Sequence, residues 1–166
     1  MRLKVAFFIL FWTMSSFDLY LLAFLLKYIP GNIFVNTAAA CGSKIAAYIV
    51  SGYLVKRLGI KVSFLFGFVL STIIGLLMII FSNVDSAMAI LVLLTSFGIG
   101  LSFNTAYLAT PMVFPVIMTA SAFGICNLFA RGSTIIAPLI AELEAPIPVI
   151  TLTFCSAIGA LCSLFI

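Results

Sequence analysis

The sequence contains no histidine and only four acidic residues in a chain of 166. Histidine and carboxylate side chains are the commonest general acids and bases of enzymes, and no apolar run of this chain contains two acids. No serine or cysteine stands beside a residue that would activate it as a nucleophile. The sequence therefore predicts that the protein is not an enzyme, and it predicts neither a metal nor a cofactor.

Charged residues of both signs make up 7% of the chain, whereas apolar residues make up 65%. A soluble domain needs far more polar residues to cover its surface, so we expect lipid to be the solvent of this protein. The basic residues are scattered singly or lie in short connections, which argues against a nucleic-acid surface. The four cysteines lie inside apolar runs, and this argues against a disulfide framework.

Apolar runs of about twenty residues, the length that crosses a bilayer as a helix, recur along the whole chain. Short connections such as residues 27–32 and 56–61 separate them and carry most of the charges. The sequence predicts an all-α membrane protein with six transmembrane helices in one domain, residues 1–166. The predicted helices span about 5–26, 33–55, 62–82, 87–110, 118–140 and 149–166.

The charges of the connections divide unequally between the two sides of a six-helix topology. Basic residues close to membrane-crossing helices mark the cytosolic side. By this criterion both ends of the chain face the cytosol. The cytosolic set is Arg2, Lys4, Lys56, Arg57 and Lys61, and the opposite side carries Lys27, Asp85, Glu142 and Glu144.

Small residues form stripes along the second and third predicted helices. In lipid, small side chains allow helix backbones to approach each other closely. We expect both stripes to contact neighbouring helices, without assigning them a function. They consist of Ala39, Ser43, Ala47 and Ser51 on the second helix, and of Gly67, Ser71 and Gly75 on the third.

Asp18, Lys44 and Arg131 lie within the predicted helices rather than at their ends. A charge inside a membrane is costly unless it is paired or hydrated. At about 1.5 Å per residue, all three lie about 16 to 20 Å above the cytosolic boundary. Three charges from three helices at one depth predict a hydrated binding layer near the midplane, where secondary transporters bind solutes. The alternative is an internal charge cluster without a ligand, in which Asp18 neutralises one cation.

Polar neighbours extend this predicted site. Asn127 lies one turn before Arg131, and Tyr48 lies one turn after Lys44, so each shares a helix face with a cation. Two cations against one anion leave a surplus of positive charge. This surplus favours a carboxylate-bearing or zwitterionic solute over a bare cation.

Two segments resemble a known family. Residues 52–61, GYLVKRLGIK, resemble the GxxxDRxGRR/K loop of the major facilitator superfamily. Residues 110–138, which include Pro115, Gly124 and Arg131, resemble the tenth and eleventh helices of its organic cation, organic anion and carnitine transporter branch. Trp12 and Tyr20, together with Ser16 between them, are similar to residues of that branch's seventh helix. The resemblance covers essentially the whole chain, which looks like the C-terminal half of such a transporter.

The resemblance implies transport by alternating access, in which two six-helix bundles rock about a central site. The implied partners are an organic solute and an N-terminal six-helix half, and the implied location is the plasma membrane. In that branch, cation carriers usually have an acid where Lys44 stands, and anion carriers often have arginine where Arg131 stands.

These observations together define the expected binding site. We expect Arg131 to anchor an organic anion or zwitterion, with Lys44 as a second cation and Asp18 as their counter-charge. Side chains that line the expected site are Tyr20, Tyr48 and Asn127. The resemblance further implies a gating loop formed by Gly52, Arg57, Gly59, Lys61 and Pro115.

The chain departs from the family pattern where the family carries its gating charges. Lys56 replaces the loop aspartate, and Ile60 replaces an arginine. Met112 and Met118 replace an acid and a base on either side of Pro115. The alternative function is therefore a non-transporting subunit or degenerate half transporter that packs in a larger assembly. A homodimer of two bundles is a third possibility. Because the chain stops inside an apolar run at Ile166, a truncated fragment is one explanation of that end.

Overall fold

The computed structural model describes residues 2–28, 32–81 and 85–164, and every regular element within these ranges is helical. The first helix is α1, Arg2–Leu25, which continues as a 3₁₀ turn, Leu26–Tyr28. It is followed by α2 (Ile33–Ile80), α3 (Asp85–Val113), α4 (Val116–Thr134), α5 (Ala137–Ala141) and α6 (Ile147–Ser163). The predicted all-α class is confirmed.

The long helix α2 contains one residue that is not helical, Gly59, with φ 87° and ψ 172°. Side chains other than glycine rarely adopt this left-handed region, because a Cβ atom would clash with the backbone. Residues 56–61, predicted to be a connection, are therefore helical apart from this glycine. We call residues 33–58 the N-terminal arm of α2 and residues 60–80 its C-terminal arm.

Contacts with α3 show that the chain reverses direction at Gly59. The N-terminal arm runs parallel to α3, since Ser43 Oγ donates to the Leu93 carbonyl at 2.7 Å and the Asn104 amide donates to Ser51 Oγ at 2.6 Å. The C-terminal arm runs antiparallel to α3. Its residue Gly67 lies beside Ser102, and the later Met78 accepts a hydrogen bond from Thr95 at 3.4 Å. The two arms are thus separate, antiparallel helices.

Four helical stretches are long and apolar enough to cross a membrane: Val5–Tyr28, Ile33–Ile80, Ala87–Val113 and Val116–Ala141. The shorter Ile147–Ser163 is also apolar. At about 1.5 Å per residue, a straight helix as long as α2 would measure about 72 Å, more than twice the hydrocarbon thickness. Each arm alone has the length of one crossing. The fold is thus compatible with a multi-pass, all-α membrane protein.

The predicted helix 118–140 is interrupted between α4 and α5. Pro138 has no N–H to donate to the carbonyl of Thr134, and its ring clashes with that carbonyl in a continuous helix. A turn at Ile135 and Ile136 takes its place, where the Ile136 N–H donates to the Ser133 carbonyl at 3.1 Å. The helix is thus divided into α4 and α5, and together the stretch Val116–Ala141 keeps the length of a crossing.

Aromatic packing joins α1 to α2 and α3. Phe11 is fully buried and stacks on Phe64 of the C-terminal arm, with ring centroids 4.7 Å apart. The buried Trp12 donates its indole N–H to Thr110 Oγ1 at 3.2 Å and packs against Tyr107. Phe8, one turn earlier on α1, packs against Phe114, which follows Thr110 in the chain, with ring centroids 5.3 Å apart. The two helices are therefore antiparallel.

Both stripes of small residues contact neighbouring helices, as predicted. On the N-terminal arm, Ala47 lies so close to Gly100 that a Cβ on this glycine would be 3.3 Å from the alanine Cβ. On the C-terminal arm, Gly67 and Ser71 face Gly98 of α3. Gly75 instead lies against Thr153 of α6. The stripes therefore hold α3 between the two arms and α6 against the C-terminal arm.

The basic and acidic connections lie at opposite ends of the bundle. Lys56, Arg57 and Lys61 are exposed at the turn around Gly59, and Lys61 Nζ donates to the Leu164 carbonyl at 2.7 Å. At the other end, Lys27 Nζ lies 3.4 Å from Glu142 Oε1. Hydrogen bonds from Tyr28 and Lys27, together with the Lys27 charge, hold the pKa of Glu142 below its usual value.

Candidate functional site

The clearest contact among the predicted site residues joins α4 to α1. Arg131 Nη1 donates a hydrogen bond to the hydroxyl of Tyr20, and the guanidinium carbon lies 5.6 Å from the centroid of the tyrosine ring. Arg131 is exposed on the bundle surface, whereas Tyr20 is half-buried. The structure thus brings together two of the six residues predicted to bind solute.

Arg131 occupies the last turn of α4, just before the interruption caused by Pro138. The end of a helix carries partial negative charge on its free carbonyls, which stabilises a nearby cation. Two of these carbonyls are already occupied, because Ser133 Oγ donates to Ala130 and Thr134 Oγ1 donates to Arg131. The guanidinium has five N–H donors, and its hydrogen bond to Tyr20 uses only one. Donors therefore remain for an anion.

Lys44 projects from the N-terminal arm of α2 and is half-buried. Its aliphatic stem passes Gly100 of α3, where a Cβ would lie 3.4 Å from Lys44 Cγ. Tyr48, one turn later, is 37% exposed. Both side chains thus lie at the border between the packed interior and the surface of the bundle.

Asp18 lies apart from the two cations. It is 1% exposed, and its Oδ2 atom is 2.7 Å from Ser156 Oγ of α6. Within residues 2–28, 32–81 and 85–164 the only ion pair is the one between Lys27 and Glu142, so Asp18 is paired with neither cation. The predicted role of Asp18 as a counter-charge therefore has no ion pair to support it.

Helix geometry explains why Asp18 and Tyr20 separate. Residues two apart on an α-helix point about 200° apart, so the two side chains leave α1 on nearly opposite faces. The face of Tyr20 meets Arg131 on α4, and the face of Asp18 meets Ser156 on α6. The partner Ser156 was missed in the sequence, since serines in the last apolar run carried no signal of their own.

The heights of the three charges can be compared along α1. Trp12 is level with Thr110. Because α1 and α3 are antiparallel, the residue ten positions later on α1, residue 22, is level with Gly100, ten positions earlier on α3. Lys44 lies beside Gly100, so it is also at the height of residue 22. Arg131 is level with Tyr20. Residues 18 to 22 of a helix span about 6 Å. The three charges thus share a depth in the bundle, although they do not share a face.

Asn127, the other predicted site residue on α4, lies one turn before Arg131. It is half-buried, and its side chain makes no hydrogen bond to the described part of the chain. The backbones of α2 and α4 do not approach each other, whereas both approach α3. No backbone contact therefore joins the helix that carries Lys44 to the helix that carries Arg131 and Asn127.

The residues of the expected gating loop lie at one end of the bundle. Gly59 makes the turn, Lys61 binds the Leu164 carbonyl, and the Arg57 guanidinium carbon lies 5.7 Å from the Tyr53 ring centroid. Gly52 precedes this turn, and a Cβ added to it would have open space. Pro115 precedes α4, and its carbonyl accepts a hydrogen bond from Thr119 Oγ1 at 2.9 Å. No ion pair occurs among these residues in the described ranges.

Comparison of the sequence with protein-family models, and with curated proteins, finds no match. The resemblance to the major facilitator superfamily thus depends on the segments quoted above.

Proposed function

We propose that this chain is one six-helix half of an alternating-access transporter for an organic anion or zwitterion. The observation that carries the proposal is the placement of Arg131, an exposed cation that is the only charged residue of α4 and has no ion pair among the described residues. An unpaired charge at this depth cannot face lipid hydrocarbon without a large cost, so it requires a hydrated cavity or a second protein surface.

The charge balance of the proposed site favours an anionic group on the solute. Asp18 is buried toward α6, so Lys44 and Arg131 remain without a carboxylate among the described residues. A planar guanidinium binds a carboxylate through two parallel hydrogen bonds, which is the strongest common recognition of this group. Within the proposal Arg131 is the anchor and Lys44 contributes a second positive charge. The polar side chains of Tyr20, Tyr48 and Asn127 line the same site.

Six crossings fit the antiparallel order of the helices. The arms of α2 run in opposite directions, and α4 with α5 forms one stretch of membrane length. With α1, α3 and α6 this makes six segments in the described residues. The bundle leaves an apolar surface on α4, where Leu128 is 73% and Phe129 is 54% exposed. We propose that the second bundle required for alternating access covers the site from this side.

Site-directed labelling tests the six crossings and their direction. In a cysteine-free variant, a cysteine at Arg57 is expected to react with a membrane-impermeant maleimide only from the cytosolic side. A cysteine at Glu144 is expected to react only from the opposite side, because basic connections stay in the cytosol. Labelling of both positions from the same side would contradict the proposed topology.

Uptake measurements test the transport function itself. Cells that express the chain together with a matching N-terminal half are expected to accumulate radiolabelled organic carboxylates above cells that express the half alone. Permanently charged organic cations of similar size serve as the control solutes, and we expect no accumulation of them. Equal uptake with and without the chain would contradict a role in transport.

A second candidate function is supported by the exposed end near the Gly59 turn. Met112 is 64% and Met118 is 48% exposed, and neither offers a charge for a gate. A non-transporting subunit that packs in a larger membrane assembly needs no such gate. This candidate predicts fixed-stoichiometry purification with other membrane proteins and no change in solute flux when the chain is removed.

A further inference from the structure

The carboxyl group of Asp18 is the most deeply buried charged group in the described residues. Its side chain is 1% exposed, and its Oδ1 atom has no hydrogen-bond partner there. Ser15, one turn earlier on α1, is also fully buried and its hydroxyl has no partner. Its neighbours on α1, Phe17, Leu21 and Leu22, belong to a buried apolar cluster that also contains Ile99 and Leu152.

An ionised carboxylate is poorly accommodated by this environment. Removal of an anion from water is very costly unless a cation or several hydrogen-bond donors replace the water. The single polar contact of Asp18 is with Ser156, and no ion pair reaches it within the described chain. A neutral carboxylic acid, by contrast, leaves only uncharged groups without a partner, which costs much less.

The contact with Ser156 fits the neutral acid. At a separation of 2.7 Å, the O–H of a protonated Asp18 can donate to Ser156 Oγ. The serine hydroxyl then has no second acceptor among the described residues. This leaves an uncharged hydroxyl without an acceptor, which costs far less than an unpaired anion.

We propose that Asp18 and Ser156 form a buried proton-binding site in which α6 packed against α1 holds the carboxyl group neutral. The proton is taken up from water and forms an O–H bond on the Asp18 carboxyl group. Its release requires α6 to move away from α1 so that water can solvate the anion. Protonation and the packing of these two helices are therefore coupled, whether or not the chain transports a solute.

Among the described residues, none of the ionisable groups on the helices around Asp18 forms an ion pair that would stabilise its ionised form. From α6, the Cys155 thiol lies next to Ser156 and is half-buried against the same cluster. From α4, Arg131 is directed to Tyr20 on the other face of α1. From α3, the ionisable Tyr107 packs against Trp12, which lies six residues before Asp18 on α1. In the described residues α2 contributes Lys44, which also makes no ion pair.

Infrared spectroscopy of the whole chain in lipid bilayers tests the proposal. Only four side-chain carboxyl groups are present, and the other three, Asp85, Glu142 and Glu144, lie near the ends of helices. At neutral pH we expect one C=O stretching band of a protonated carboxyl group. Asp18→Asn is expected to lose this band, and Glu142→Gln, the control at an exposed acid, is expected to keep it.

A second variant covers the case in which Asp18→Asn does not assemble, as judged from helical circular dichroism. Ser156→Ala retains the acid and removes its only hydrogen-bond partner, so the band is expected to stay and to move to higher frequency. Absence of the band in the parent at neutral pH would overturn the proposal, as would a band that persists in Asp18→Asn. An unchanged frequency in Ser156→Ala would also count against it, because Ser156 would then not hold the proton.

Discussion

Replacement of Arg131 by alanine is expected to weaken binding of a carboxylate-bearing solute by about ten- to a hundredfold. A hydrogen bond to a charged group contributes about 1.5–3 kcal/mol, and each 1.4 kcal/mol is about tenfold in affinity. The measurement is the concentration dependence of uptake, or binding of a labelled carboxylate to the chain in bilayers. The loss should appear for anions and leave organic cations unaffected.

Matched variants distinguish specific binding of the solute carboxylate by the Arg131 guanidinium from attraction by positive charge alone. Arg131→Lys keeps the charge but removes the planar pair of donors, so we expect only a partial recovery of affinity. Tyr20→Phe removes the hydroxyl that accepts from Arg131 and is expected to loosen the orientation of the guanidinium. Lys27→Ala removes an exposed cation at the opposite end of the bundle from the gating loop and serves as the control. Equal affinity of Arg131→Ala and the parent would exclude the anchoring role.

Replacement of Gly67 by leucine is expected to destabilise the bundle by at least the 1–3 kcal/mol typical of an overpacked interior. A Cβ at Gly67 would overlap the Ser102 hydroxyl and would lie 3.0 Å from the Gly98 carbonyl oxygen and the Ser102 nitrogen. The last two are backbone atoms, which cannot move aside as a side chain does. We expect α3 to separate from the C-terminal arm of α2.

Gly42 provides the control for this variant. It lies on the exposed side of the N-terminal arm, and a Cβ there would meet nothing within 4 Å. Gly42→Leu should therefore unfold like the parent. Unfolding in mixed micelles can be followed by the fluorescence of Trp12, the single tryptophan of the chain, which is buried beside α3. Similar destabilisation of both variants would show that the close approach at Gly67 does not limit stability.

The positions of the helices were predictable because each long apolar run exceeds what a soluble fold tolerates. The predicted start of the second helix at residue 33 coincides with the start of α2. Residues 56–61 contain the reversal that the sequence predicts as a connection, but a single glycine with positive φ makes it, and the residues on either side stay helical. The break before α5 is caused by Pro138, which is visible in the sequence. The length of an apolar run, however, does not show where a backbone hydrogen bond within it is lost.

The sequence predicts at which height in the membrane the charged residues of the candidate site lie, but not toward which neighbouring helix each side chain points. A rise of about 1.5 Å per residue places Asp18, Lys44 and Arg131 at one height, whatever the rotation of their helices. Which face of α1 meets α4 depends on packing contacts such as those of Trp12 and Phe11, and no pattern in a single helix contains that information. The contact of Asp18 with Ser156 on α6 is one such feature that depends on packing.

The single-residue turn at Gly59 has a consequence for how this protein can change over evolution. An amino acid added within either arm would rotate all residues on one side of it by about 100° and shift them by about 1.5 Å. Ser43 and Ser51 would then miss their partners on α3 while Lys44 turned to a new direction. Sequence drift in α2 is thus restricted to substitutions, and descendants of this gene should preserve the number of residues between Ser43 and Met78 more strictly than most of their identities.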